Sequence, residues 1–253
     1  MSSIKYTDFR LDAHTHMIAS GHAYGTIREM AAAAADRGLD LLGLSEHGPG
    51  TPGTCHPIYF QNLRGTVPRR LSNVEILHGC EVNVQNDWTL SQVKGFLNDL
   101  DYALAGIHPQ CYTDAGAEKN TENLILYMKH PKIFFVSHPD SDKLPVRYDR
   151  LVSAAKKYHA ALEVNNSSLR YPGRRPGCVE NYKTMLALCR KQEVPVLVSS
   201  DAHDPSEVGL FYDALKLLNE VQFPPELILN TDVDRFKQFI GFPRGGGVLV
   251  EGQ

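Results

Sequence analysis

Phe9-Arg10-Leu11-Asp12-Ala13-His14-Thr15-His16 is a short apolar segment that runs directly into two histidines. Alternate residues of an extended strand project from one face, so imidazoles at i and i+2 can reach the same metal ion. His22 follows beyond the polar turn Ala19-Ser20-Gly21, placed to bend back to the same point. Alone the pair carries little, because His-x-His also occurs in ordinary strands. Its weight comes from recurrence. Leu41-Leu42-Gly43-Leu44-Ser45-Glu46 runs into His47, and Ile76-Leu77-His78-Gly79-Cys80 runs into Glu81. Later apolar runs end at His108, at His138 and at Ser200-Asp201-Ala202-His203.

Seven runs have strand character: Phe9 to Asp12, Leu39 to Leu44, Val74 to Val84 (two pieces of one element), Tyr102 to Ile107, Ile133 to Val136, Ala160 to Val164 and Val194 to Val198. Phe134-Phe135-Val136 and Pro195-Val196-Leu197-Val198 are near-continuously apolar, which suits parallel strands covered on both faces. Helix signals lie between the strands. Thr26 and Glu29 form a capping box ahead of an alanine-rich helix that Gly38 closes. Thr89 and Gln92 do the same for a helix buried through Leu90, Val93, Phe96, Leu97 and Leu100. Further apolar stripes are Leu151, Val152, Ala155 and Tyr158, then Val179, Tyr182, Met185, Leu186 and Cys189. Leu210, Phe211, Ala214, Leu217 and Leu218 make another, capped near Ser206, and a last helix from about Asp232 to Ile240 turns Val233, Phe236 and Phe239 inward.

Strand and helix alternate with no linker and no repeat, which predicts an α/β fold in a single domain over residues 1–243. Residues 244–253, with Gly245-Gly246-Gly247, read as a flexible tail. Polar residues stand just beyond the C-terminal end of almost every strand, where a β/α barrel carries its active site. An open doubly wound sheet would gather them near one switch point. A barrel is the expected architecture.

The chain of 253 residues is 42% hydrophobic and 22% charged, an ordinary composition for a soluble globular protein. A net charge of −3 gives no global electrostatic case for nucleic acid. Neither an apolar signal region in Met1 to Thr7 nor a run of transmembrane length is found, so a cytoplasmic protein without membrane contact is expected. The five cysteines are odd in number and include no Cys-x-x-Cys pair. Neither a disulfide framework nor a thiolate zinc site follows from them; Cys80 and Cys189 read as reduced core residues.

Seven of the eleven histidines, His14, His16, His22, His47, His108, His138 and His203, stand at strand ends or in the loop after one, with Glu81 and Asp201 among them. Packing alone would favour aliphatic residues there. A single metal needs only three protein ligands and an open position, so nine candidates suffice for two or three ions. Imidazole and carboxylate without thiolate suit zinc, manganese or iron. Glu81 is central and has two oxygens with which to bridge ions. His130 and His159 lie near helix C-termini, where imidazole meets the last carbonyls. His78 reads as packed inside a strand, and His56 sits in a loop where a substrate contact is open.

With these residues in place, the chain resembles the PHP (polymerase and histidinol phosphatase) family, and within it the YcdX-like phosphatase branch. The resemblance rests on Asp12-Ala13-His14-Thr15-His16, Ala19-Ser20-Gly21-His22-Ala23-Tyr24, Glu46-His47-Gly48-Pro49 and Gly79-Cys80-Glu81-Val82-Asn83. It continues through Ala105-Gly106-Ile107-His108, Ser137-His138-Pro139, Leu162-Glu163-Val164-Asn165-Asn166-Ser167-Ser168, Ser200-Asp201-Ala202-His203 and Phe223-Pro224-Pro225-Glu226 to Asn230. It implies a distorted (β/α)7 TIM-like barrel with a trinuclear metal site. By the same resemblance His14, His16, Glu81 and Asp201 hold one ion, His22, His47 and His203 a second, and Glu81, His108 and His138 a third. The ions would be divalent, zinc first, with manganese or iron as alternatives. The family usually has Asp where this chain has Glu46, which bears on the hydrogen bond that orients His47.

The implied activity is hydrolysis of a small phosphomonoester by metal-activated hydroxide, with Glu81, Asp201 and His203 as catalytic residues and phosphate as product. Three divalent ions would bring six positive charges, of which Glu81 and Asp201 remove two, so the site favours anions. Arg64 and Arg69, in the long insertion after the second strand, and Arg170, Arg174 and Arg175, after the sixth, are candidate phosphate contacts. A family 3′–5′ exonuclease would use similar metals on a phosphodiester, but no basic surface serves a long polymer. A TIM-barrel amidohydrolase also begins with His-x-His, yet no lysine stands at a middle strand end to bridge its metals. A regulatory domain that had lost catalysis would have lost ligands first. The sequence leaves a homo-oligomer open.

Overall fold

Where the apolar runs stand, short strands form: β1 (Leu11–Asp12), β2 (Leu41–Leu44), β4 (Val74–His78), β5 (Glu81–Asn83), β6 (Ala103–Gly106), β7 (Ile133–Val136), β8 (Ala161–Asn165) and β9 (Val196–Ser199). One unexpected strand, β3 (Arg70–Leu71), pairs antiparallel with β4, and the other pairings are parallel. The computed structural model describes residues 3–87 and 95–243. The start of the helix expected from Thr89 and the tail 244–253 lie outside the described residues. The end of that helix segment is a 3-10 turn at Leu97–Asp99, with Phe96, Leu97 and Leu100 buried.

The strands make two sheets, β1-β2-β4-β3 and β5-β6-β7-β8-β9. Gly79-Cys80 divides β4 from β5, as the two-piece reading of residues 74–84 expected. The division has a packing cause: a Cβ at Gly79 would come within 2.6 Å of the Tyr102 ring, which fills the space there. Single parallel bridges, not continuous ladders, join the sheets at both seams, His47 to Glu81 on one side and Thr15 to Ala202 on the other. Counting β4 and β5 as one interrupted element leaves seven parallel strands, in keeping with the distorted TIM-like barrel.

Alternation along the strands separates two cores. Leu11, Leu41, Leu77, Leu104, Phe135 and Leu197 point inward, and Phe236 and Phe239 of α8 (Val233–Gly241) complete that inner cluster. Lys237 pairs with Glu75 at the start of β4 at 2.8 Å, so α8 plugs the end of the strands opposite the histidines. The outward residues pack beneath α1 (Ile27–Asp36), α2 (Ile58–Thr66), α3 (Ala117–Met128), α4 (Tyr148–Tyr158), α6 (Cys178–Gln192) and α7 (Tyr212–Glu220). A short α5 (Asn166–Arg170) follows β8 directly. Among the described residues no helix is long and apolar enough to cross a membrane.

The Thr26–Glu29 capping box forms as expected, and Asp232 caps α8 through Arg235. Three expectations need correction. Ser206 does not cap α7; it lies in a separate 3-10 turn at Pro205–Glu207, and α7 starts after Phe211 with no side-chain cap. Val179 is 36% exposed because Cys178 takes the inward position at the start of α6. Helices α2 and α3 were not anticipated. In α3 the buried face includes Asn120, Thr121 and Asn123 beside Leu124, Tyr127 and Met128, so no clean apolar stripe marks it.

Asn230 ties the seam between β1 and β9. Its side chain donates to the carbonyls of Leu11 (2.9 Å) and Val198 (2.6 Å) and accepts from the Val198 N–H (2.6 Å). Asn230→Leu strands three buried backbone groups and is expected to cost about 2–5 kcal/mol. The measurement is the denaturant midpoint at unchanged slope; a shift below about 0.5 kcal/mol would contradict the tie.

Candidate metal centre

The ring of strand C-termini brings eight of the nine expected residues into contact around Glu81. Glu81 is fully buried, and each of its oxygens faces several imidazoles. Oε2 lies 2.9 Å from His47 Nδ1, 3.4 Å from His14 Nε2 and 3.6 Å from His16 Nε2. Oε1 lies 2.8 Å from His138 Nε2 and 3.2 Å from His108 Nε2. Gly106 makes room for this carboxylate, since a Cβ there would stand 2.8 Å from Oε1. Across the ring, Asp201 Oδ1 is 3.2 Å from His16 Nε2 and 3.5 Å from His14 Nε2. The His203 ring lies tilted against that of His16, with centres 4.5 Å apart. His22 is exposed, with its ring 4.9 Å from His47 and 5.0 Å from His203.

Three groups of donor atoms converge within 4.8 Å: His14, His16 and Asp201; His16, His47 and His203; and His47, Glu81 and His108. The first holds three of the four residues of the set implied by the family resemblance, without Glu81. In the second, His16 stands where His22 was expected, and in the third His47 stands where His138 was expected. His138 nonetheless touches Glu81 more closely than His108 does.

Burial and mutual charge set the ionisation of the cluster. Burial pushes the Glu81 carboxyl upward, but His108, His14 and His138 together hold it well below the usual carboxylate range. Asp201 is held low in the same way against its burial, chiefly by His14 and His16. Burial opposes protonation of His14, yet Glu163, Glu81 and Asp201 raise it well above an ordinary histidine. His16 is driven well below by burial and by His47. The two Nε2 atoms lie 3.0 Å apart.

Whether these residues fit a metal can be asked of their hydrogen bonds. Buried polar atoms are almost always partnered, but Glu81 Oε2, His47 Nδ1 and His108 Nε2 are buried without a hydrogen-bond partner. The same atoms form one of the convergent donor groups. Buried donor atoms that converge on one place without a hydrogen-bond partner are what a cation site presents. The donors are nitrogen and oxygen only, and no cysteine joins them.

Residues 12–169 match the family model of the PHP domain. The chain belongs to the PHP domain family. A probable phosphatase of Thermoanaerobacter sp. (strain X514) is 38% identical over 232 residues, covering 91% of this chain and 94% of that one. A probable phosphatase of Clostridium acetobutylicum is 37% identical over 233 residues, covering 92% and 94%. The crystal structure of histidinol phosphate phosphatase from Lactococcus lactis, complexed with zinc, L-histidinol and phosphate, superposes with a TM-score of 0.62 at 17% identity, covering 85% of this chain and 94% of that one. That last likeness speaks for the fold.

In this PHP domain the residues that hold the cluster in place were only partly legible. Glu163 is the main omission. It is buried on β8, accepts from His14 Nδ1 at 2.5 Å and from the His138 N–H at 2.6 Å, and is bonded by Ser199 Oγ. Its signal was an acid inside the apolar run Ala161-Leu162-Glu163-Val164. Glu46 works through Ser20: it accepts from Ser20 Oγ, the Met17 N–H (3.0 Å) and the Tyr59 hydroxyl (3.2 Å). Ser20 Oγ in turn lies 3.1 Å from His16 Nδ1 and accepts from the His47 N–H at 3.0 Å. Burial pushes the Glu46 carboxyl up to about 7 against those bonds. Asn83 Oδ1 meets His108 Nδ1 at 2.8 Å.

The arginines divide. Arg69 is turned away from the cluster: β3 carries it to the opposite end of the strands, where it pairs with Asp101 just ahead of β6. Arg64 is exposed on α2. Arg170 and Arg174 are exposed beyond β8, 5.3 Å and 4.6 Å from the Tyr171 ring centre. Arg175 alone is largely buried, against His138 and Asp140. His56 is exposed and accepts from the Ile58 N–H, while His159 caps α4 in a left-handed conformation and meets the Phe239 carbonyl at 3.1 Å. His78 is fully buried, as expected for a packed residue.

Proposed function

We propose that this protein is a metal-dependent phosphatase that hydrolyses small phosphomonoesters at a trinuclear centre. The observation that carries the reading is the buried convergence of Glu81 Oε2, His47 Nδ1 and His108 Nε2 without hydrogen-bond partners. The names of the relatives, probable phosphatases, support the chemistry. The zinc, L-histidinol and phosphate in the Lactococcus lactis enzyme support the metal and the kind of substrate.

His14, His16, Glu81 and Asp201 would hold one divalent ion, His22, His47 and His203 the second, and Glu81, His108 and His138 the third. Zinc suits the donors, with manganese or iron as alternatives. Metal ions held by these residues would supply a hydroxide near neutral pH, since coordination can lower the pKa of water from ~15.7 to about 7, and would offset charge on the phosphorus oxygens. The chain does the rest. Glu163 accepts a hydrogen bond from His14 Nδ1, which leaves Nε2 turned into the cluster. Asn83 fixes His108 likewise. Asp201 and His203, with side chains 15% and 27% exposed, line the open side of the ring and would meet the attacking and leaving oxygens as substrate enters. Arg64, Arg170 and Arg174 remain candidates to hold the organic or phosphate end of the substrate; Arg69, facing the other way, does not.

The test compares metal-loaded protein on an aryl phosphomonoester, a dinucleotide and an N-acyl amide. Monoester turnover well above the other two is expected. Preferred cleavage of the dinucleotide would move the assignment to the exonuclease branch of the family, and amide turnover alone would sink it.

A further inference from the structure

We infer that Arg175 is a positioning residue, which with Asp140 clamps the backbone of His138 so that its ring meets Glu81. The inference rests on the reading of His138 as a metal ligand. His138 has φ +30, in the left-handed region that residues other than glycine rarely adopt, and it precedes Pro139. A conformation of this kind costs about 1–3 kcal/mol and persists only where surrounding bonds enforce it. The bonds here are specific. The His138 N–H donates to Glu163 Oε2 at 2.6 Å. Its carbonyl accepts the Asp140 N–H at 2.8 Å and Arg175 Nη1 at 3.3 Å. The same Nη1 donates to Asp140 Oδ1 at 3.2 Å. One guanidinium nitrogen therefore closes the turn from 138 to 140 from outside.

The clamp is anchored on both sides. Asp140 is 1% exposed, and Asn181 of α6 donates to its carbonyl at 2.8 Å and to Asp142 Oδ1 at 2.8 Å. The Asp142 N–H donates to the Pro176 carbonyl at 2.9 Å, so the loops after β7 and β8 are stitched together next to Arg175. An arginine spent on a buried carboxylate and a backbone carbonyl has less to offer an incoming phosphate than the exposed Arg170 or Arg174. This gives Arg175 a different task from theirs, although Arg170 closes α5 and Arg174 and Arg175 follow within a few residues.

The experiment uses Arg175→Met and the double variant Arg175→Met/Asp140→Asn, which removes the buried carboxylate left without a counter-charge. His138→Ala is the reference. Metal per chain, metal titration, kcat and KM for the phosphomonoester are measured. Both variants are expected to bind one ion fewer than wild type, the same loss as in His138→Ala. Where the remaining affinity can be titrated, it should be weaker by about 10–100-fold, with kcat reduced and KM unchanged. Full metal content with a raised KM would overturn the inference and make Arg175 a substrate contact. Full metal content with unchanged kinetics would overturn it too, as would loss of the fold in the double variant. Retention of every ion by His138→Ala is a separate failure, that of the metal reading of His138 itself.

Discussion

Glu81→Gln is expected to reduce both bound metal and turnover, the latter by about 10²–10³-fold. Five imidazoles lie within 3.6 Å of this carboxylate, on both of its oxygens. Glutamine keeps the shape but replaces an acceptor by an NH₂ donor and removes the charge. Changing one member of a preorganised electrostatic site typically costs about 10²–10³-fold in rate. The carboxyl is held ionised by His108, His14 and His138 against the pull of burial, so it would meet a metal as a charged group. Two of the three proposed ions would depend on it. Metal analysis of protein purified without added metal, beside kcat on a phosphomonoester, checks the prediction. Full occupancy at the wild-type rate in Glu81→Gln would remove the bridging role.

The strand ends were legible because histidine and acid at the close of an apolar run oppose what burial favours. Asp201 and Glu81 stood out for that reason, and the structure brings both to one cluster. Glu163 carries the same signal in a stronger form, an acid in the middle of a buried strand, but it does not end its run and so falls outside the strand-end pattern. Side chains two residues apart on β8 point the same way, so Glu163 lies above Ala161 on the inner face and reaches His14 across the ring. Arg69 was misplaced for a different reason. A two-residue strand, Arg70–Leu71, turns the insertion back along β4, and no pattern of that length announces itself. Helix α3 was hidden by its buried asparagines and threonine, which bond to neighbouring loops; Asn120 meets Tyr112, Asp114 and Pro145, and Asn123 donates to the Tyr112 hydroxyl. Local pattern shows where apolar surface is buried. It does not show which polar residues go in with it.

Removing the metal is expected to abolish turnover and to lower the melting temperature. A ligand that binds only the folded state stabilises it by about 4 kcal/mol when free at 1,000 times its dissociation constant. At roughly 2–4 °C per kcal/mol for a chain of this size, chelation should cost on the order of 10 °C. The apo protein should also hold a proton that the metal displaces. Glu163, Glu81 and Asp201 raise His14 well above an ordinary histidine despite its burial, while Nδ1 is committed to Glu163. The proton that must leave is therefore the one on Nε2, the atom that faces His16 and the carboxylates. Metal uptake near pH 7 should release protons, and affinity should fall as pH is lowered. Calorimetric titration of chelated protein in buffers of different ionisation enthalpy measures the number released. Uptake with no proton release would contradict the raised His14. An unchanged melting temperature and full activity after exhaustive chelation would take the metal out of the account altogether, and the unpartnered donors around Glu81 would then need another occupant.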